Sequence, residues 1–82
     1  MKQKKLKTKE YSYTVVYESL KEGGYQVVVP VLPGLVTYGM TFEEAREMAR
    51  EAIQCCVESF LREKESVPQE ASFLQERLLV RV

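Results

Sequence analysis

Few side chains in this sequence have types and spacings that could do chemistry. Two cysteines, Cys55 and Cys56, stand side by side, all twelve acids are Glu, and there is no His, Asp, Asn or Trp. Without His, neither a Ser-His-Asp nor a Cys-His nucleophile can be assembled. A zinc site would have to come from two cysteines and glutamates alone, a poor ligand set for that ion. Neighbouring residues on a helix point about 100° apart, so an unstrained Cys55–Cys56 disulfide is not accessible there. Free thiols of this kind fit a reducing compartment, and the expected home is the cytoplasm. With no Lys, Arg or His beside them to favour a thiolate, the pair is expected to supply small apolar side chains, one in the core and one on its flank. The chain therefore reads as a non-enzyme with no metal and no cofactor.

What remains is charge. The net charge is zero, twelve Lys plus Arg against twelve Glu, but Lys2, Lys4, Lys5, Lys7 and Lys9 precede every acid. Residues 10–82 then hold seven positive and twelve negative charges and sum to −5. A like-charged stretch without apolar anchors predicts a flexible Lys-rich arm over 1–9, followed by one domain over 10–82. Clustered lysines attract phosphate, so the arm is a candidate nucleic-acid contact, although it lacks aromatics or Arg to stack on bases and serves equally as a solubilising tail. On the acidic side, Glu43, Glu47, Glu51 and Glu58 share a helical surface and are the candidate partner-binding residues. The same face also fits an ordinary solvated helix surface. No apolar run approaches the roughly 20 residues of a membrane span, and no apolar stretch follows the lysines as a signal peptide would require.

The elements that position these charges follow from periodicity. Tyr11 to Glu18 alternates, with Tyr11, Tyr13, Val15 and Tyr17 on one face, and predicts a strand. Glu22-Gly23-Gly24 predicts a turn into a second strand, Tyr25 to Pro30, paired with the first as a hairpin. Pro33-Gly34 suits the central positions of a type II turn. Leu35 to Tyr38 then reads as a short third strand. Thr41 with Glu44 three residues later forms a capping box for a helix. Its apolar stripe is Phe42, Ala45, Ala49, Ala52, Ile53, Cys56 and Phe60, and Glu58 and Arg62 are placed to pair. The helix is expected to run to about Lys64 or Glu65, ahead of Pro68. Arg77 to Val82 alternates again and predicts a final strand.

The expected fold is α+β: strand-strand-strand-helix-strand, a four-stranded mixed sheet of order 3-2-1-4 with one helix on one face. One helix cannot cover four strands, and the valines of the second strand point both ways. A homo-oligomer, dimer or tetramer, is therefore expected.

Two strings carry a family likeness. Tyr25-Gln26-Val27-Val28-Val29-Pro30-Val31-Leu32-Pro33-Gly34 and Gly39-Met40-Thr41-Phe42-Glu43-Glu44-Ala45, with Pro68 beyond the helix, resemble the HicB-like antitoxin family over roughly Tyr11 to Pro68. The resemblance implies a degraded ribonuclease-H-like fold and a protein-binding role. It implies a HicA-like partner, a small mRNA-cleaving toxin that the antitoxin neutralises by covering it. Val31, Leu35 and Met40 depart from residues frequent in the family, an acid, a Cys and an Asp respectively. The alternative reading is a nucleic-acid-binding or regulatory oligomer without a toxin partner.

Overall fold

A computed structural model describes residues 10–70 and 74–82. The element order is β1 (Val16–Ser19), β2 (Tyr25–Val28), β3 (Val36–Gly39) and α1 (Phe42–Arg62). The strands form one antiparallel sheet of order β1-β2-β3. Its cross-strand rows are Val16–Val28–Val36, Tyr17–Val27–Thr37, Glu18–Gln26–Tyr38 and Ser19–Tyr25–Gly39. α1 packs across β3 and β2.

The turns form as their residues dictate. Gly23 and Gly24 both take positive φ, and the Leu20 and Gly24 backbones close the β1–β2 loop. Two consecutive tight turns follow β2. Leu32 N–H donates to the Val29 carbonyl at 2.9 Å, and Leu35 N–H donates to the Leu32 carbonyl at 3.1 Å. Pro30 and Pro33 hold the second position of each turn, and Gly34 supplies φ +85° at the third position of the second. Leu32, the hinge between them, is buried.

The strands are shorter than their alternation predicts, and Pro30 gives the reason. Continuing the β1–β2 register would set Thr14 opposite Pro30, which has no N–H for the ladder. The chain also turns away at Val29. Residues 11–15 thus lie ahead of β1, outside the ladder.

The helix begins as predicted. Thr41 Oγ1 accepts from Glu44 N–H at 3.1 Å. The Glu44 carboxylate reaches back to the Met40 N–H at 2.6 Å, one residue before the cap, so the reciprocal half of the box is shifted by one position. The helix stops at Arg62, earlier than expected. Lys64 takes φ +58°, its N–H bonds the Leu61 carbonyl, and Glu65 N–H bonds the Phe60 carbonyl. These two bonds make a Schellman stop with Lys in the position Gly usually fills, so Pro68 is not what ends the helix. Glu58 accepts from Gln54 at 3.2 Å instead of pairing with Arg62, and the ion pair among the described residues is Arg50–Glu47 at 2.7 Å.

The expected fourth strand is overturned: the sheet has three strands, and the order 3-2-1-4 does not exist in this chain. Residues 74–82 form no ladder and are exposed, Leu78 at 71% and Leu79 at 88%. The physical reason is where the chain is fixed after the helix. Thr14 N–H and Oγ1 donate to the two oxygens of Glu70 at 2.7 and 3.0 Å, and the Tyr13 hydroxyl donates to the Pro68 carbonyl. Residues 68–70 are thereby held beside the start of β1. There the chain is held through the Tyr13, Thr14 and Glu70 side chains and not through a backbone ladder, so no strand pairing starts on the free edge of β1.

The core is small: Val27, Val29, Leu32, Ala45, Ala49 and Val57 are buried. Val15, Tyr17 and Tyr25 pack around Val27, Ala45 and Ala49. Of the expected apolar stripe on α1, Ala45 and Ala49 are buried, Ile53, Cys56 and Phe60 are half-buried, and Phe42 is exposed at its rim. Cys56 does not reach the core and Cys55 is exposed, so neither cysteine is a core residue, and both are free.

Candidate partner-binding surface

α1 is anchored to the sheet by its smallest residues. Gly39, at the end of β3, is buried, and a Cβ there would lie 2.3 Å from Ala45 N and 2.5 Å from Ala45 Cα. Only a glycine lets the first helical turn sit this close. Phe42 then meets Tyr17 edge-on at 4.8 Å between ring centroids and Tyr25 at 6.0 Å, with the Arg46 guanidinium 5.9 Å above its ring. These contacts fix the rotation of α1 about its axis.

With the rotation fixed, the glutamates fall into place. At about 100° per residue, Glu43, Glu47, Glu51 and Glu58 lie within roughly 80° of one another, on the side opposite Ala45 and Ala49. All four are exposed, so the structure gathers the sequence-predicted acids into one solvent-facing stripe. Arg50, beside the stripe, neutralises part of Glu47. That exposed pair is worth little by itself. The five N-terminal lysines, Lys2, Lys4, Lys5, Lys7 and Lys9, lie outside the described residues. Among the described residues no group of three or more His, Cys or Glu side chains converges as a metal site, and no helix is long and apolar enough to cross a membrane.

A second surface was not anticipated. Residues 11–17 stand off from the flank of α1 and leave an open groove of ≈ 940 Å³. Tyr13, Val15 and Tyr17 form one wall, and Ile53, Val57 and Leu61 form the other. The alternation of Tyr13, Val15 and Tyr17 was visible in the sequence as a face. That it borders an open groove among the described residues was not. On this wall the Tyr13 phenol is pushed above its ordinary value of 10.0, first by burial and then by the neighbouring Tyr11, Cys56 and Glu70. It therefore stays neutral and available to donate to Pro68.

A family model described as "HicB_like antitoxin of bacterial toxin-antitoxin system" matches residues 13–78, most of the chain. The chain belongs to the HicB-like antitoxin family. It is 43% identical over 60 residues to UPF0150 protein ssr1765 of Synechocystis, covering 73% of this chain and 76% of that one. It is 40% identical over 58 residues to UPF0150 protein Ta0767 of Thermoplasma acidophilum, covering 71% and 84%. Against Antitoxin HicB 1 of Photorhabdus laumondii it is 40% identical over 60 residues, covering 73% of this chain but 39% of that longer protein.

The structure also says what the HicB-like strings do. Pro30, Pro33 and Gly34 build the double turn, and Leu32 is its buried hinge. Gly39 admits the helix, Thr41 and Glu44 cap it, and Ala45 is buried at its base. The residues that carry the family likeness are thus scaffold. The surfaces available to a partner are the outer side of the helix and the groove.

Proposed function

We propose that this HicB-like protein is the antitoxin of a HicA-type toxin, and that it neutralises this small, basic, mRNA-cleaving protein by covering it. The observation that supports the reading is the acidic stripe of Glu43, Glu47, Glu51 and Glu58. It lies exposed on the outer side of the single helix, in a chain whose family is antitoxins of toxin-antitoxin systems. An RNA-cleaving partner must present positive charge where RNA binds. A rigid stripe of carboxylates competes for that surface, speeds encounter and fixes register. The helix rather than a loop carries the charges, so little ordering entropy is lost on docking. The reading places the pair in the cytoplasm, where mRNA is the target and Cys55 and Cys56 stay reduced.

The test is co-expression with a HicA-type toxin. Growth rescue and co-purification are expected. Glu47→Lys/Glu51→Lys/Glu58→Lys is expected to weaken association at least tenfold and to flatten its salt dependence, while far-UV circular dichroism keeps the helix signal. Rescue that survives the triple reversal removes the stripe as the interface. Absence of both rescue and co-purification with the wild-type chain removes the antitoxin role proposed here.

A further inference from the structure

We propose that Glu70 is a plug on the strand-forming segment 11–17, and that its contact with Thr14 keeps this segment from pairing with copies of itself. Tyr11-Ser12-Tyr13-Thr14-Val15-Val16-Tyr17 contains no charge, no Pro and no Gly, and six of its seven residues are aromatic or β-branched. A segment of that composition stacks with its own copies once its backbone is open to them. The longer uncharged run, Tyr25 to Phe42, is interrupted by Pro30, Pro33 and Gly34 and is laid out in β2, the double turn and β3. Segment 11–17 has no such interruption, and Glu10 and Glu18 only flank it.

β1 takes in only Val16 and Tyr17 of this segment. In continued register Thr14 would face Pro30, where β2 has already turned away. Thr14 meets a side chain instead. Its N–H donates to one Glu70 oxygen at 2.7 Å and its hydroxyl to the other at 3.0 Å. The first of these is the bond that the carbonyl of a neighbouring strand would accept, so the carboxylate stands in for a strand at that point. It cannot pass the pairing on. A carboxylate offers acceptors only, and a charge held against a strand edge is one way native sheets refuse further strands. The Tyr13 hydroxyl, donating to the Pro68 carbonyl, ties the same two stretches of chain together. Pro68 itself has no N–H to offer a ladder. Thr14 and Glu70 are both half-buried, so their two bonds are partly shielded from competing water.

The experiment follows light scattering and thioflavin T fluorescence of the full chain at about 100 μM, within the range where open strand edges associate. Glu70→Ala is expected to shorten the lag before assembly at least about tenfold against the wild type, with the far-UV helix signal unchanged at the start. Glu70→Gln, of the same shape but uncharged, keeps the test open if the alanine chain does not fold, and is expected to shorten the lag at least about threefold. Lost stability alone would also speed assembly, so a second substitution separates the two causes. Ser12 is exposed within the segment. Adding Ser12→Lys to Glu70→Ala is expected to return the lag to the wild-type value without restoring the urea midpoint, because it brings charge to the segment and no bond to Thr14. Three outcomes overturn the plug. Both Glu70 variants keep the wild-type lag, or the Ser12→Lys/Glu70→Ala chain assembles as fast as Glu70→Ala, or the protease-resistant core of the assemblies, read by mass spectrometry, leaves out residues 11–17.

Discussion

At the scale of single residues, glycines with similar sequence signals have different costs. Gly34 and Gly39 both punctuate the end of a short segment. Gly34 needs its φ of +85° but has open space around it, whereas Gly39 has the backbone of Ala45 and Glu44 within 2.8 Å of where a Cβ would stand. Gly34→Ala is expected to cost about 1 kcal/mol, the ordinary penalty of left-handed backbone. Gly39→Ala is expected to cost about 3 kcal/mol, because helix backbone cannot step aside as a side chain can. Urea unfolding of the two variants measures the difference, and equal midpoints would mean the helix can lift off β3 without cost. Tyr13 gives a pH signature. Burial and its neighbours raise its folded-state pKa above 10.0, so between that value and the folded pKa the unfolded chain has lost a proton the native state keeps. Stability linked to Tyr13 is therefore complete below pH 10 and falls as pH rises through the folded pKa. Tyr13→Phe removes that slope, together with the hydrogen bond to Pro68, and denaturation midpoints across alkaline pH check the sign.

At the scale of elements, what could be read from sequence was local. The Thr41 cap and the Pro33-Gly34 turn each depend on residues within a few positions of one another, and each is present. The misreadings concern distance. β1 is cut short by Pro30, a residue just past the end of the partner strand, and the alternation of 77–82 gives no hint that Glu70 has already fixed the chain at Thr14. The acidic stripe was legible because α1 is one uninterrupted helix; the groove was not, because its two walls, 11–17 and 53–61, are far apart in the sequence. The helix stop shows both sides. Pro68 looked like the terminator, yet the chain stops earlier by placing Lys64 at φ +58°. A non-glycine residue there bears a left-handed penalty of about 1–2 kcal/mol, part of which Gly recovers after its own unfolded-state entropy is counted. Lys64→Gly is expected to stabilise the chain by about 0.5–1 kcal/mol in urea unfolding. A destabilised variant would show that the Lys64 side chain contributes more than the backbone conformation costs.

At the scale of the whole molecule, the buried core among the described residues is six side chains. Domains of this size bury too little surface to be strongly stable alone. Meanwhile Leu74, Leu78, Leu79, Val80 and Val82 stand in solvent at 71% exposure or more. An association that covered that surface would make folding and assembly one equilibrium. Mass action then makes the melting temperature depend on protein concentration. A tenfold rise in concentration adds about 1.4 kcal/mol per dimer, or about 0.7 kcal/mol per chain, which for a domain of this length corresponds to roughly 3–6 °C. Calorimetry over a hundredfold range of concentration is therefore expected to show the wild-type melting temperature climbing by about twice that amount. The Leu78→Lys/Val80→Lys chain is expected to melt lower and at one temperature throughout. A wild-type melting temperature that stays flat would place all the stability within one chain, and the exposed leucines and valines of 74–82 would then contribute nothing to holding the fold together.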